Sequence, residues 1–123
     1  MATPLEDYKA MIDDLVNRRP SVLARWVTEK RDWPDLPENR DINGFLETLT
    51  DSQRAVLADL LQQARDSGIH DVLAYLTDEI NLRGLSLARN GQELAVEPFG
   101  SEMYYDWVCR REGDTWPDER GQT

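Results

Sequence analysis

The chain has 123 residues, with 24 acidic against 14 basic side chains and a formal net charge of −10. Leu, Ile, Val and Phe supply 28 of them, above the roughly 20% of the chain below which highly charged sequences stay disordered. One acidic domain over 1–123 is therefore expected, able to bury about two thirds of its unfolded surface, and a phosphate backbone or an anionic membrane is a poor partner for it.

The acids are not gathered in a tail. Residues 1–50 hold 10 acids and 7 bases, residues 51–100 hold 8 and 4, and residues 101–123 hold 6 and 3. Even spacing of this kind chiefly keeps a small domain in solution. The single cysteine, Cys109, excludes an internal disulfide framework and a cysteine-rich zinc site. Met1–Asp7 lacks the basic and apolar regions of a signal peptide, and no apolar run approaches a membrane span, so a cytoplasmic protein is expected.

Thr3-Pro4-Leu5-Glu6 is a capping-box pattern with proline at the first helical position. Leu5, Tyr8, Met11, Ile12, Leu15 and Val16 then repeat at helical spacing, which predicts an amphipathic helix over 4–18. Glu6, Asp7, Asp13 and Asp14 share its other side. The helix dipole accounts for Glu6 and Asp7, but it disfavours Asp13 and Asp14, which makes that pair a candidate acidic face for a partner. Ser21 is placed to cap a second helix whose apolar face is Val22, Leu23, Trp26 and Val27.

Residues 31–41 carry two prolines and read as a loop. Asp41 is expected to cap a short helix through Ile42, Phe45, Leu46 and Leu49. Thr50-Asp51-Ser52-Gln53 is a second capping box, opening a helix with Val56, Leu57, Leu60, Leu61 and Ala64 inward and Gly68 as its stop. A further helix is predicted from Ile69, Val72, Leu73, Leu76 and Ile80, ending near Gly84.

The period then shortens to two residues. Leu85–Val96 centres on Asn90-Gly91, the strongest short hairpin signal, and predicts the pairs Arg89–Gln92, Ala88–Glu93, Leu87–Leu94, Ser86–Ala95 and Leu85–Val96. That register puts Leu85, Leu87, Leu94 and Val96 on one apolar face, expected to pack on helices because a lone hairpin is marginal. Ser101 is expected to cap a last helix through Met103, Tyr104, Trp107, Val108 and Arg111, with Gly113 as its stop and 118–123 as a frayed tail. The predicted architecture is mainly α: a single-domain orthogonal bundle of five or six helices, with one β-hairpin at about 85–96 before the last helix.

Two short motifs resemble enzyme signatures and fail on their partners. Trp-Pro-Asp, at 33–35 and 116–118, is similar to the acid loop of protein tyrosine phosphatases, which also need a cysteine with an arginine six positions on. Six after Cys109 is Thr115. A tryptophan covering a helix end fits both copies better. His70-Asp71 is similar to the doublet of HD-type metal phosphohydrolases, but His70 is the only histidine. No catalytic residue, metal ligand or cofactor is assigned.

The densest feature is 99–116, which holds five of the ten aromatic residues. On a helix Tyr104, Trp107, Val108 and Arg111 share one side, and Tyr105, Cys109 and Glu112 another. Tyr, Trp and Arg dominate binding hot spots, so Tyr104, Tyr105, Trp107, Arg110, Arg111 and Trp116 are the candidate partner- or ligand-binding residues. The stretch Met103–Pro117 also resembles the C-terminal part of a small bacterial protein family that has no assigned function, so the resemblance implies no activity.

The functional expectation is a non-catalytic interaction module binding a basic protein, as an immunity or antitoxin protein does. The alternative is a small-molecule-binding protein or unrecognised enzyme with a pocket between the hairpin and the last helix. Homo-oligomerisation through an unpaired hairpin edge is a third route.

Overall fold

Capping and stop signals, more than propensity, decide where the helices lie in a computed structural model of the chain, which describes residues 1–121. The architecture is mainly helical, with one small antiparallel hairpin before the last helix. The α-helices are α1 (Pro4–Asn17), α2 (Val22–Thr28), α3 (Arg40–Glu47), α4 (Asp51–Arg83) and α5 (Met103–Arg111); the strands are β1 (Ala88–Arg89) and β2 (Gln92–Glu93). Single 3-10 turns occupy Pro37–Asn39 and Pro117–Glu119. No described helix is long and apolar enough to cross a membrane.

The hydroxyl of Thr3 accepts from the Glu6 amide at the start of α1, and that of Ser21 from the Ala24 amide at the start of α2. Thr50 and Gln53 close a full capping box at α4: the Thr50 side chain accepts from the Gln53 amide and the Gln53 side chain from the Thr50 amide. Two predicted caps move. A 3-10 turn leads into α3 one residue ahead of Asp41. At α5 the cap position belongs to Glu102, because the Ser101 hydroxyl is committed to Asp106 at 2.6 Å.

The expected break at Gly68 does not occur. Gly68 has helical backbone inside the continuous helix α4. A helix-interior glycine costs about 1 kcal/mol relative to alanine. That penalty is overcome because apolar residues keep helical spacing on both sides of it and no proline follows.

Both Trp-Pro-Asp segments follow the same kind of helix ending. After α2 the Arg31 amide donates to the Trp26 carbonyl and the Lys30 amide to the Val27 carbonyl. After α5 the Asp114 amide donates to the Cys109 carbonyl and the Gly113 amide to the Arg110 carbonyl. These are Schellman closures, with Lys30 (φ 58°) and Gly113 (φ 91°) in the left-handed region they require. Trp33 then folds back edge-on against Trp26, and Arg110 of α5 stacks on Trp116 at 4.8 Å. Each tryptophan covers the end of the helix before it.

Contacts divide the described chain into two units: residues 1–18 with 68–123, and residues 19–67. The core of the first is built from Tyr8, Ile12, Leu73, Leu94, Met103, Trp107 and Trp116, and its main helix pair is α1 with α5. In the second, Val27 and Leu46 are buried. Arg54 is anchored there by donating to the Val27 and Leu46 carbonyls, and Arg19 by a two-pronged ion pair with Asp66.

In the hairpin, Asn90 (φ 52°) and Gly91 (φ 80°) make the turn, and the register pairs Ala88 with Glu93 and Arg89 with Gln92 as expected. The ladder is shorter than predicted. Beyond the Leu94 amide, which donates to Leu87, the outer pairs give way to other acceptors: the Ala95 amide donates to the Pro4 carbonyl and the Leu85 amide to the Glu79 carbonyl. The four-residue apolar face consequently divides. Leu94 is buried and Leu87 half-buried, while Leu85 and Val96 are exposed. At the C-terminal side, Lys9 donates to Asp118 and Glu119 of the last 3-10 turn. Desolvation works against the Lys9 charge, but these two carboxylates outweigh it and raise its pKa. Residues 122 and 123 of the expected tail lie outside the described residues.

Candidate functional site

The predicted aromatic and arginine residues of the C-terminal segment separate into different roles. Trp107 and Trp116 are core residues, 0% and 3% exposed. Tyr104 is half-buried with its ring 4.9 Å from that of His70, and Tyr105 is exposed. Arg111 lies over the Trp107 ring at 5.1 Å and pairs with Glu112. The Cys109 side chain beside Tyr105 raises the phenol's pKa.

Arg110 meets Asp13 of α1 through two hydrogen bonds, at 2.8 and 3.2 Å, and donates a third to the Asp114 carbonyl. Asp13 is thereby accounted for as an inter-helix tie, and Asp14 remains exposed. Removing both partners of this half-exposed pair should reveal a coupling energy of about 1 kcal/mol. A double-mutant cycle of Asp13→Asn and Arg110→Gln in urea denaturation measures it, and high salt should shrink it.

Two concavities of this unit bear on the predicted site. One, between the hairpin, α1, α4 and Met103 of α5, measures only about 20 Å³, room for about one water, and contains none of the six candidate residues. The other, about 240 Å³, brings together Tyr105, Arg110 and Trp116 with Asp106 and Ser101. Tyr104, Trp107 and Arg111 are not part of it. The floor of this cavity was not foreseen. Asp106 is buried and accepts from the hydroxyls of Ser101 and Tyr8. Burial, together with this hydrogen bond and the Asp106 charge, holds the Tyr8 phenol protonated far above the usual tyrosine range.

A different surface appears in the unit of residues 19–67. Phe45, Leu49, Val56, Leu57 and Leu60 line an open apolar groove of about 480 Å³ along α3 and the first turns of α4, with Ser52 and Gln53 as the other lining residues. Phe45, Val56 and Leu60 are 58%, 61% and 55% exposed. The inward placement expected for Val56 and Leu60 is corrected here. The apolar arc of each helix is wider than the side it buries, so Leu46 is enclosed while Phe45, one residue away, faces solvent. Ile42, one turn before Phe45 and 40% exposed, extends the apolar face. Asp41, four positions before Phe45, and Asp59, three after Val56, are exposed on the same two helices.

No curated protein and no solved structure matches the chain. One family model does match, over residues 1–118, and its description is "Family of unknown function (DUF6547)". The likeness noticed in 103–117 thus extends along nearly the whole chain, which belongs to this family of unknown function.

Proposed function

We propose that the chain is a non-catalytic protein-interaction module, acting in a bacterial cytosol on a basic protein partner. The single observation that carries this reading is the groove on α3 and α4, where Phe45, Val56 and Leu60 stand more than half exposed around an almost wholly apolar concavity. Contiguous exposed apolar surface of this kind marks docking sites, and a groove between two helices suits an amphipathic helix laid into it. Exposed Asp41 and Asp59 on the same two helices, and the net charge of −10, favour basic residues beside the partner's apolar stripe. A second copy of this chain fits less well, since it would bring the same carboxylates and the same net charge to the contact.

A designed Leu/Lys amphipathic helix, with a Leu/Glu helix of equal hydrophobicity as control, tests the reading by fluorescence anisotropy. The Leu/Lys helix should bind and weaken with salt. The double variant Phe45→Asp, Leu60→Asp should weaken it at least about tenfold without lowering the melting temperature. Equal binding of the Leu/Glu helix, indifference to the double variant, or a concentration-dependent dimer in sedimentation equilibrium would each overturn it.

A further inference from the structure

The cavity of about 240 Å³ beside α5 lies within the unit of residues 1–18 and 68–123 and carries an inference independent of the groove. Its floor is Asp106, 4% exposed. The donors to that carboxylate, Tyr8 and Ser101, are both neutral hydroxyls, and no ion pair joins it to a lysine or arginine among the described residues. The first turn of α5 offsets part of its charge, but a buried carboxylate ordinarily has an opposite charge beside it. Each of its oxygens accepts one hydrogen bond here and retains capacity for another.

Two cations also line the cavity. Arg110 is one turn from Asp106 on the same helix, yet its guanidinium is taken up by Asp13 and the Asp114 carbonyl. Arg120 is exposed and forms no hydrogen bond or ion pair among the described residues. Phe99 and Trp116 supply apolar walls. A ligand carrying only positive charge would meet Asp106 but be opposed by the arginines, and one carrying only negative charge would meet the reverse. A molecule with both charges a few bonds apart satisfies both.

We propose that this cavity binds a small zwitterion, an α-amino acid or comparable amino-carboxylate, with its ammonium group on Asp106 and its carboxylate on Arg120. The volume admits a ligand of that size.

Calorimetric titration of the full chain with L-alanine and larger L-amino acids, with ethylamine and propionate as single-charge probes, tests this. At least one amino acid should give saturable one-to-one binding, with the single-charge probes at least about tenfold weaker. Asp106→Asn, which keeps the shape but offers one accepting oxygen in place of two, and Arg120→Gln, on an exposed side chain, should each weaken the amino acid about tenfold. No saturable heat from any amino acid, equal affinity for ethylamine or propionate, or an affinity unmoved by Arg120→Gln overturns the proposal, and the last of these decides the matter even if Asp106→Asn unfolds.

Discussion

Replacing Trp107 by alanine is expected to cost about 3–5 kcal/mol, the usual range for deleting a fully buried large aromatic side chain. The indole is 0% exposed and sits in the cluster that joins α1, α4, the hairpin and α5. It also carries the stacked Arg111. Set against a total stability of about 5–15 kcal/mol for a domain of ordinary size, the loss should lower the midpoint of urea unfolding by about a fifth or more. Trp107→Phe separates packing from polarity. The indole N–H has no hydrogen-bond acceptor among the described residues, so its removal relieves a buried polar group and offsets part of the lost volume. The phenylalanine variant should therefore lose less than half as much as the alanine variant. Equal losses would mean that the N–H is satisfied.

The second large effect is expected at Tyr8. Its hydroxyl donates to the buried carboxylate of Asp106, across 98 positions of chain. Tyr8→Phe should cost about 1.5–3 kcal/mol near neutral pH, the range for hydrogen bonds to charged groups. The pH dependence gives this bond a signature. Burial, the hydrogen bond and the carboxylate's charge all raise the Tyr8 pKa above its ordinary 10.0. The unfolded tyrosine loses its proton near that ordinary value while the folded one keeps it. The stabilisation is thus complete below pH 10 and declines as pH rises above it. Denaturation curves of the parent and of Tyr8→Phe should lie furthest apart at neutral pH and converge from about pH 10 upward. A gap that stayed constant to pH 11 would show that the phenol is not held protonated by Asp106.

Features written in neighbouring residues were legible in the sequence. The reciprocal bonds of Thr50 and Gln53, the caps at Thr3 and Ser21, the stop at Gly113 and the Asn90-Gly91 turn with its register all rest on contacts between residues no more than five apart. What failed involved a choice among distant partners. Gly68 carries the residue type of a helix stop, and the residue alone does not show that the apolar spacing on both sides carries the helix through it. The outer hairpin pairs were replaced because Pro4 and Glu79 offer carbonyls that no reading of 85–96 could include. Asp13 looked purposeless on α1 until Arg110, 97 residues on, supplied its partner.

The candidate site was legible only in composition. Tyr105, Arg110 and Trp116 come together as part of one cavity, but nothing in the sequence singles out Asp106, the buried carboxylate beside them. The apolar groove was hidden for another reason. A helical wheel shows that Phe45, Val56 and Leu60 lie on an apolar arc, and it cannot show which part of the arc a neighbouring element covers.

The ties between α1 and the C-terminal part of the chain, Tyr8–Asp106, Asp13–Arg110 and Lys9–Asp118, span 98, 97 and 109 positions. They impose an order of events during synthesis. Residues 19–67 hold the partners of Arg19 and Arg54 among themselves, in Asp66, Val27 and Leu46. Helix α1 emerges first and must wait for α5. At roughly 5–20 residues per second the wait is on the order of 5–20 seconds, long beside the microsecond formation of a helix. Through that interval Tyr8, Met11, Ile12 and Leu15 lack the cover of Met103 and Trp107, and only α4 residues such as Leu73 and Ile80 can shield them. The carboxylates of Glu6, Asp13 and Asp14 keep the waiting helix in water, so Asp13 guards solubility before it ever meets Arg110.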